Sequence, residues 1–418
     1  MAIVGLILLL SALVLWRVLR DGLHPAVAMP SVWGVTLVLV QIAQPFGFYP
    51  VAPASLLLFL SGVLIFSAGA CLGSRLATEI GPRAAPLAER LQVNYRALAI
   101  CALLIHVVML PLWLSEIQAI AGDTDDILVI AYQLRIKSVY DEVTTGSLVG
   151  NYLVLGMIVI PVLAVGVLSK RLHGGWALLV GAPWVVTNLL TNGRSTLVQL
   201  VLALIYFRLM LGPRITLKTA MTLAGMFLLI FGGGAVLVGK GGIDESVSVG
   251  EVAELIMLNF FDYALQGPIL FSAYFENPTL VTPSWDPFRV PCLALERFGL
   301  CEPGPLHQDF LFFGTGDRIG NVYSIFFSTY PKYGLLGTAL ILCFCGAWAA
   351  FHHQRFRQDG RLYHAVLAGF LFGAVVLSIF LDSFLPLLNF VIKTWLVCVL
   401  LPRIFRSKRE TAGPDAGR

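Results

Sequence analysis

The feature that most limits what this chain can become is a series of long stretches without charge. They run over residues 2–16, 25–45, 51–72, 97–115, 149–168, 174–190, 195–211, 219–239, 324–350, 362–381 and 384–402. A helix that crosses about 30 Å of hydrocarbon needs roughly 20 apolar residues, and lipid offers no partner to an open backbone amide or carbonyl. The runs therefore predict an all-α integral membrane protein with about 11 transmembrane helices. Composition agrees, because 58% hydrophobic and 12% charged residues leave too little polar surface to cover a soluble domain. The first run has the length of a secretory h-region, but Arg17 and Arg20 follow it instead of preceding it, so it is read as a retained helix.

An odd number of crossings puts the termini on opposite sides, and the basic residues choose between the two arrangements. With the tail carrying Arg403, Arg406, Lys408 and Arg409 in the cytoplasm, 19 of the 28 Lys and Arg residues fall on that side. Only Arg135, Lys137, Arg194, Lys240, Arg289, Arg297, Arg318 and Lys332 remain outside, with Lys393 inside the last run. The chain then divides into residues 1–239, with eight helices and a smaller outer loop at 116–148; a large outer loop at 240–323; three helices at 324–402; and a basic tail at 403–418. The net charge of +4 reads as a topology signal, and no basic patch interleaved with aromatics points to nucleic acid.

The outer segments hold the polar chemistry. Residues 127–140 and 247–264 carry apolar positions at near-helical spacing, and the second stretch breaks into irregular loop from Pro268 onward. The large loop has eleven acids, from Asp244 to Asp317, and aromatics such as Tyr263, Phe275, Trp285 and Phe310. That surface suits either a polyhydroxyl ligand or a solvated loop with an aromatic membrane belt. Cys292 and Cys301 are a closely spaced pair in this loop, able to close a small disulfide ring in an oxidising compartment. The other cysteines, Cys71, Cys101, Cys343, Cys345 and Cys398, sit in apolar runs and read as small buried hydrophobes.

Asn192-Gly193-Arg194-Ser195-Thr196 isolates one guanidinium in an outer turn. Its planar fork suits either a lipid-linked phosphate or ordinary lipid headgroups. Arg318, in Gly314-Thr315-Gly316-Asp317-Arg318-Ile319-Gly320, is a second outward Arg, and the two could hold a pyrophosphate with help from Lys240 and Arg135. His307, Asp309 and Asp317 are candidate general bases. No His or Cys set has metal-ligand spacing, so no metal site and no cofactor are expected. Within the apolar runs, His106 and Lys393 are ionisable, with Asp382 near an outer helix end, and groups of that kind in a membrane are functional by default.

Asn321-Val322-Tyr323-Ser324-Ile325-Phe326-Phe327, followed by Tyr330 and Tyr333-Gly334-Leu335-Leu336-Gly337, resembles the oligosaccharide repeat unit polymerases, the Wzy-type O-antigen polymerases. Gly193-Arg194-Ser195 is similar to that family's short Arg turn, Leu134-Arg135 to a further family position, and the opening around Leu23-His24-Pro25 also fits. Lys332 departs from the pattern, which has an acidic residue there. The resemblance implies a metal-independent glycosyltransferase of GT-C-like architecture in the bacterial inner membrane, with the N-terminus and large loop periplasmic and the C-terminus cytoplasmic. It would join oligosaccharides carried on undecaprenyl pyrophosphate, with Asn321, Tyr323 and Tyr330 among the glycan-binding residues and a flippase and chain-length regulator as pathway partners. The rival readings are an O-antigen ligase, sharing the helical plan, and a lipid-glycan flippase or transporter, which would need an internal repeat and a charged central cavity.

Overall fold

The computed structural model describes residues 1–80, 93–122, 124, 126–140, 146–191, 194–212, 225, 249–281, 288–302, 308–316, 318–385 and 388–405. In chain order these form α1 (Ala2–Leu19), α2 (Pro25–Ala43), α3 (Pro53–Glu79), α4 (Tyr95–Ala121), α5 (Ile127–Tyr140), α6 (Ser147–Leu168), α7 (Gly174–Leu190), α8 (Arg194–Leu211), α9 (Val249–Glu276), α10 (Arg289–Glu296), β1 (Leu311–Phe312), β2 (Ile319–Gly320), α11 (Ile325–Asp359), α12 (Leu362–Leu377) and α13 (Leu388–Ile404). Among the described residues six helices, α1 to α4, α6 and α11, are long and apolar enough to cross a membrane. The chain is thus an all-α membrane protein whose only described sheet is the antiparallel pair β1–β2. The run at 219–239, and Gly232 to Gly234 within it, lie outside the described residues apart from Gly225.

The connections gather at two ends of the bundle. At one, the α1–α2 turn meets the far ends of α3 and α11 through His24–Ser74 and Asp21–His353, and the Asn94 amide donates to the Phe405 carbonyl at 2.7 Å. This end carries Arg17, Arg20, Arg75, Arg355 and Arg357, and we call it the basic end. At the other, the α2–α3 turn pairs with the loop before α11, Phe48 bridging to Gly314; this is the loop end.

α3 and α11 form the tightest helix pair, and small residues make that approach feasible. A β-carbon at Gly69 or Gly73 would collide with the carbonyl of Cys343 or Ala347, and one at Gly346 with the carbonyl of Phe66. In lipid, where association depends on close contact because the solvent is as apolar as the helix, such a seam is a main source of packing energy. Trp33, Phe59, Phe66, Phe271 and Phe326 fill the centre beside it. His106 is fully engaged here. One ring nitrogen lies 2.9 Å from the Val180 carbonyl and so donates, which leaves the other, 2.7 Å away, to accept from Tyr152 Oη. It ties α4 to α6 and α7, a structural duty.

Two sequence expectations change. Pro268 does not end the amphipathic helix; α9 continues to Glu276, because Leu270, Phe271 and Tyr274 are buried and their packing outweighs one lost backbone bond. The run at 324–350 is not one straight crossing either. Gly334 has φ 63° and ψ −166°, a break inside α11, three residues after Pro331. Phe326 and Leu342 would both touch a β-carbon built at Gly62, although sixteen residues of straight helix would separate them by about 24 Å. The chain therefore climbs from 325 to 333, reverses at Gly334, and descends to Asp359. Since Gly62 stands nine residues into α3, this half-helix starts about 14 Å below the loop end of the bundle.

A candidate site at the loop end

A clasp closes the loop end. After α2 the chain makes a 3-10 turn at Gln44–Phe46 and passes through Gly47 at φ 91°. A side chain there would be strained, and its β-carbon would meet Thr315 Oγ1. The Tyr49 amide donates to the Phe313 carbonyl at 3.0 Å and the Thr315 amide to the Gly47 carbonyl at 2.7 Å. Arg318, at the base of the β1–β2 hairpin, completes the clasp. Its Nε donates to Asp262 Oδ1 at 3.3 Å, its Nη1 donates to the Phe46 carbonyl at 3.0 Å, and its guanidinium lies 4.6 Å from the Phe48 ring centre. Burial pushes the Asp262 carboxyl above its ordinary value, against the pull of Arg318. Arg318 is thus an anchor joining α2, α9 and the hairpin.

Below the clasp lies an aromatic shelf. Tyr323 stacks on Phe327 with centroids 4.1 Å apart, and its hydroxyl donates to the Asp309 carbonyl at 3.1 Å. Burial, with the nearby Asp309 charge adding to it, raises that phenol above its ordinary value. Tyr330, half-buried on the half-helix, packs against Phe275 and Phe271. Asn321 is half-buried between the hairpin and the half-helix, and the Asp309 side chain is exposed.

The floor of the site was the least legible part in sequence. The Ile325 amide at the tip of the half-helix donates to the Ser378 carbonyl at 2.9 Å, where α12 ends, short of the predicted 381. An irregular segment, 378–385, follows at this depth. In it, Asp382 accepts from Ser328 Oγ at 3.2 Å and from the Phe384 amide at 2.8 Å. α8 runs antiparallel to α12: Ala203 and Phe207 face Gly369, and Gln199 faces Gly373. Followed back along this register, the start of α8 at Arg194 runs toward the end of α12 at Leu377. Two buried side-chain atoms in this region, Ser324 Oγ and Gln266 Oε1, have no hydrogen-bond partner among the described residues. Ser324 is the residue before the half-helix and does not cap it.

The structure thus brings Arg318, Asn321, Tyr323, Tyr330 and the Asp309 backbone into one assembly, with the start of α8 at Arg194 running toward its floor. Arg135 lies on α5, away from the hairpin; its side chain and that of Arg194 lie outside the described residues, as do His307, Asp317 and Lys240 entirely. On α5, Lys137 donates to the Ile120 carbonyl at 2.5 Å. Cys292 and Cys301 are joined in a disulfide, with Cα atoms 5.4 Å apart, and Cys71, Cys101, Cys343, Cys345 and Cys398 are free thiols. Lys393 is half-buried on α13. Among the described residues no group of three or more His, Cys, Asp or Glu side chains is arranged to hold a metal ion. The sequence marked Asp382 as an ionisable group near a helix end without giving it a role, and it passed over Ser328, Ser324 and Gln266, which leave no comparable signal. No family model, characterised protein or solved structure matches the chain.

Proposed function

We propose that the chain is a membrane glycosyltransferase that extends a lipid-linked glycan, a repeat-unit polymerase of eleven crossings with a GT-C-like bundle, working on the outer face of a bacterial inner membrane. The observation that carries this reading is the floor of the site. A half-helix begins inside the bundle beside an irregular segment, and the antiparallel register of α8 on α12 directs the start of α8, at Arg194, toward it. Backbone without regular structure at membrane depth is tolerated only where protein buries it or a cavity is lined by it. The positive end of the half-helix dipole, together with an Arg directed toward it, favours an anion.

In this reading the acceptor is a sugar hydroxyl on one lipid-linked repeat unit. Its oxygen attacks the anomeric carbon of the donor glycan, and the bond from that carbon to the undecaprenyl pyrophosphate oxygen breaks. The proton passes to a base on the outer loop, with His307, Asp309 and Asp317 as candidates. Arg194 and the half-helix N-terminus stabilise the charge developing on the departing pyrophosphate, with Lys240 and Arg135 as further cations. The shelf of Tyr323 and Tyr330, with Asn321, receives the glycan. Arg318 contributes by holding the loop in place. A flippase supplying the substrate and a chain-length regulator are the expected partners.

The test is purified protein in vesicles with synthetic lipid-linked repeat units. A ladder of longer lipid-linked glycans supports the polymerase. Transfer of glycan to a lipid A core acceptor would select a ligase instead, and movement of intact lipid between leaflets without new linkages would select a transporter.

A further inference from the structure

The segment closed by the Cys292–Cys301 disulfide plays no part in the chemistry above, yet it exposes large apolar side chains. Phe298 is 76% and Leu300 72% exposed, with Leu293 and Leu295 each 43% exposed on the α10 side. These side chains do not hang from a loose strand. The amides of Phe298 and Leu300 donate to the Leu295 carbonyl at 2.9 and 3.2 Å, the Gly299 amide donates to the Glu296 carbonyl at 2.9 Å, and the disulfide closes the turn. Gly299, at φ 67°, allows the reversal that sets Phe298 and Leu300 on either side of it. A rigid turn displaying Phe and Leu in water gains nothing from that exposure, so a partner surface is called for.

The position of the segment identifies the surface. Phe288, just before α10, packs edge-on against Tyr333 with centroids 5.9 Å apart. Tyr333 precedes the Gly334 reversal, and Leu335 and Leu336, which open the membrane-crossing arm of α11, are 62% and 75% exposed. Exposed leucines at the start of a crossing helix face lipid, so the disulfide segment stands where that lipid-facing surface begins. Arg297 directly precedes Phe298, and Arg289 opens α10. A guanidinium beside an inserted aromatic suits the phosphate layer of a bilayer. Glu296 and Glu302 offset these charges, so apolar burial dominates over electrostatic attraction.

We propose that residues 289–301 form a disulfide-braced interfacial anchor that inserts Phe298 and Leu300 into the lipid next to α11. The inference is independent of the polymerase reading. Its test uses the full chain in phosphatidylcholine vesicles with a benzoyl-phenylalanine photoprobe in place of Phe298, and the same probe at Phe312, an exposed ring on the hairpin, as reference. The expected result after illumination is a lipid adduct at least tenfold more abundant at 298 than at 312, little changed between 50 and 500 mM salt and reduced several-fold when the disulfide is reduced. Equal lipid adducts at the two positions, or chain-to-chain adducts dominating at 298, overturn the anchor in favour of solvent or a second copy. An adduct that survives reduction unchanged overturns the bracing role of the disulfide.

Discussion

The two ends of the bundle solve the same problem, holding loops onto helices, with different materials. At the basic end polar side chains pair with one another across elements. Asp21 Oδ2 accepts from His353 Nε2 at 2.8 Å and from Arg357, and the other nitrogen of His353 lies 2.9 Å from Tyr206 Oη. His24 bonds Ser74, His352 bonds His364, and Arg355 pairs with Asp359. α1, α2, α3, α8, α11 and α12 are thus tied together by side chains. At the loop end most bonds run through backbone, and Arg318–Asp262 is the one side-chain ion pair described there. Among the described residues each end has buried polar atoms without a hydrogen-bond partner, Arg355 Nη1 and Gln358 Oε1 at the basic end and Ser324 Oγ and Gln266 Oε1 near the floor. The difference lies in what surrounds them: a side-chain network that locks six elements together at one end, and an irregular floor beside a half-helix at the other.

If the basic end is a lock, breaking it should cost the most stability. Asp21→Asn removes the charge from a carboxylate that accepts from buried His353, with half-exposed Arg357 a weaker partner, and losing a buried hydrogen bond to a charged group typically costs up to about 3 kcal/mol. Thermal unfolding in detergent should show it, with product formed per folded molecule unchanged; a drop in specific activity at unaltered melting temperature would contradict the division of labour. Arg194→Ala should do the reverse, lowering polymer formation about a hundredfold, equivalent to roughly 2.7 kcal/mol of barrier, while the melting temperature stays within a degree or two of the unaltered chain. Full activity in that variant removes the anion argument from the floor of the site.

How much of this was legible in the sequence follows from the kind of signal each part leaves. The apolar runs show the helices because burial in lipid is written in composition, and among the described residues every run outside 219–239 carries one. The reversal at Gly334 was hidden: Pro331 and Gly334 are each tolerated in a crossing helix, and only the shared contact of Phe326 and Leu342 with Gly62 separates a bend from a turn-back. Arg318 stood out in sequence as a second outward Arg, yet its partners Asp262 and Phe46 lie 56 and 272 positions away. Long-range pairing of that sort leaves no local trace. The His and Asp residues of the basic end went unread for the same reason, since Asp21 and His353 meet only when α1 and α11 pack.

The lock should also respond to acid. Burial, reinforced by the neighbouring His353, holds His24 down to about 4 from an ordinary 6.5. Between those values the unfolded chain takes up a proton that the folded chain refuses, so stability falls as pH drops below about 6.5 and levels off near 4. From pH 7 to 5 this group alone contributes a loss of about 2 kcal/mol. Asp21 works at a lower pH. Burial opposes its charge, but the hydrogen bond from His353 and the charges of His353 and Arg357 outweigh that and hold it at about 2. Its stabilising contribution is present above about 4 and fades only as pH approaches 2. The melting temperature of His24→Gln should therefore be flatter than that of the unaltered chain between pH 7 and 5, and parallel curves would remove His24 from the lock.

The smallest expected effect lies at the clasp. Arg318 and Asp262 are both partly open to solvent, where screening limits an ion pair to about 1 kcal/mol or less, so Arg318→Lys should barely move global unfolding. A lysine keeps the charge but cannot reach Asp262 and the Phe46 carbonyl together with the fork of a guanidinium. The loss should appear locally, as faster amide exchange of Thr315 and Tyr49, whose bonds join the hairpin to the α2–α3 turn, with exchange at His353 and Tyr206 unaffected. Faster exchange at both ends would mean that clasp and lock are one cooperative unit and that the contrast between them is only chemical. Unchanged exchange at the loop end would return Arg318 to the list of cations free for a phosphate.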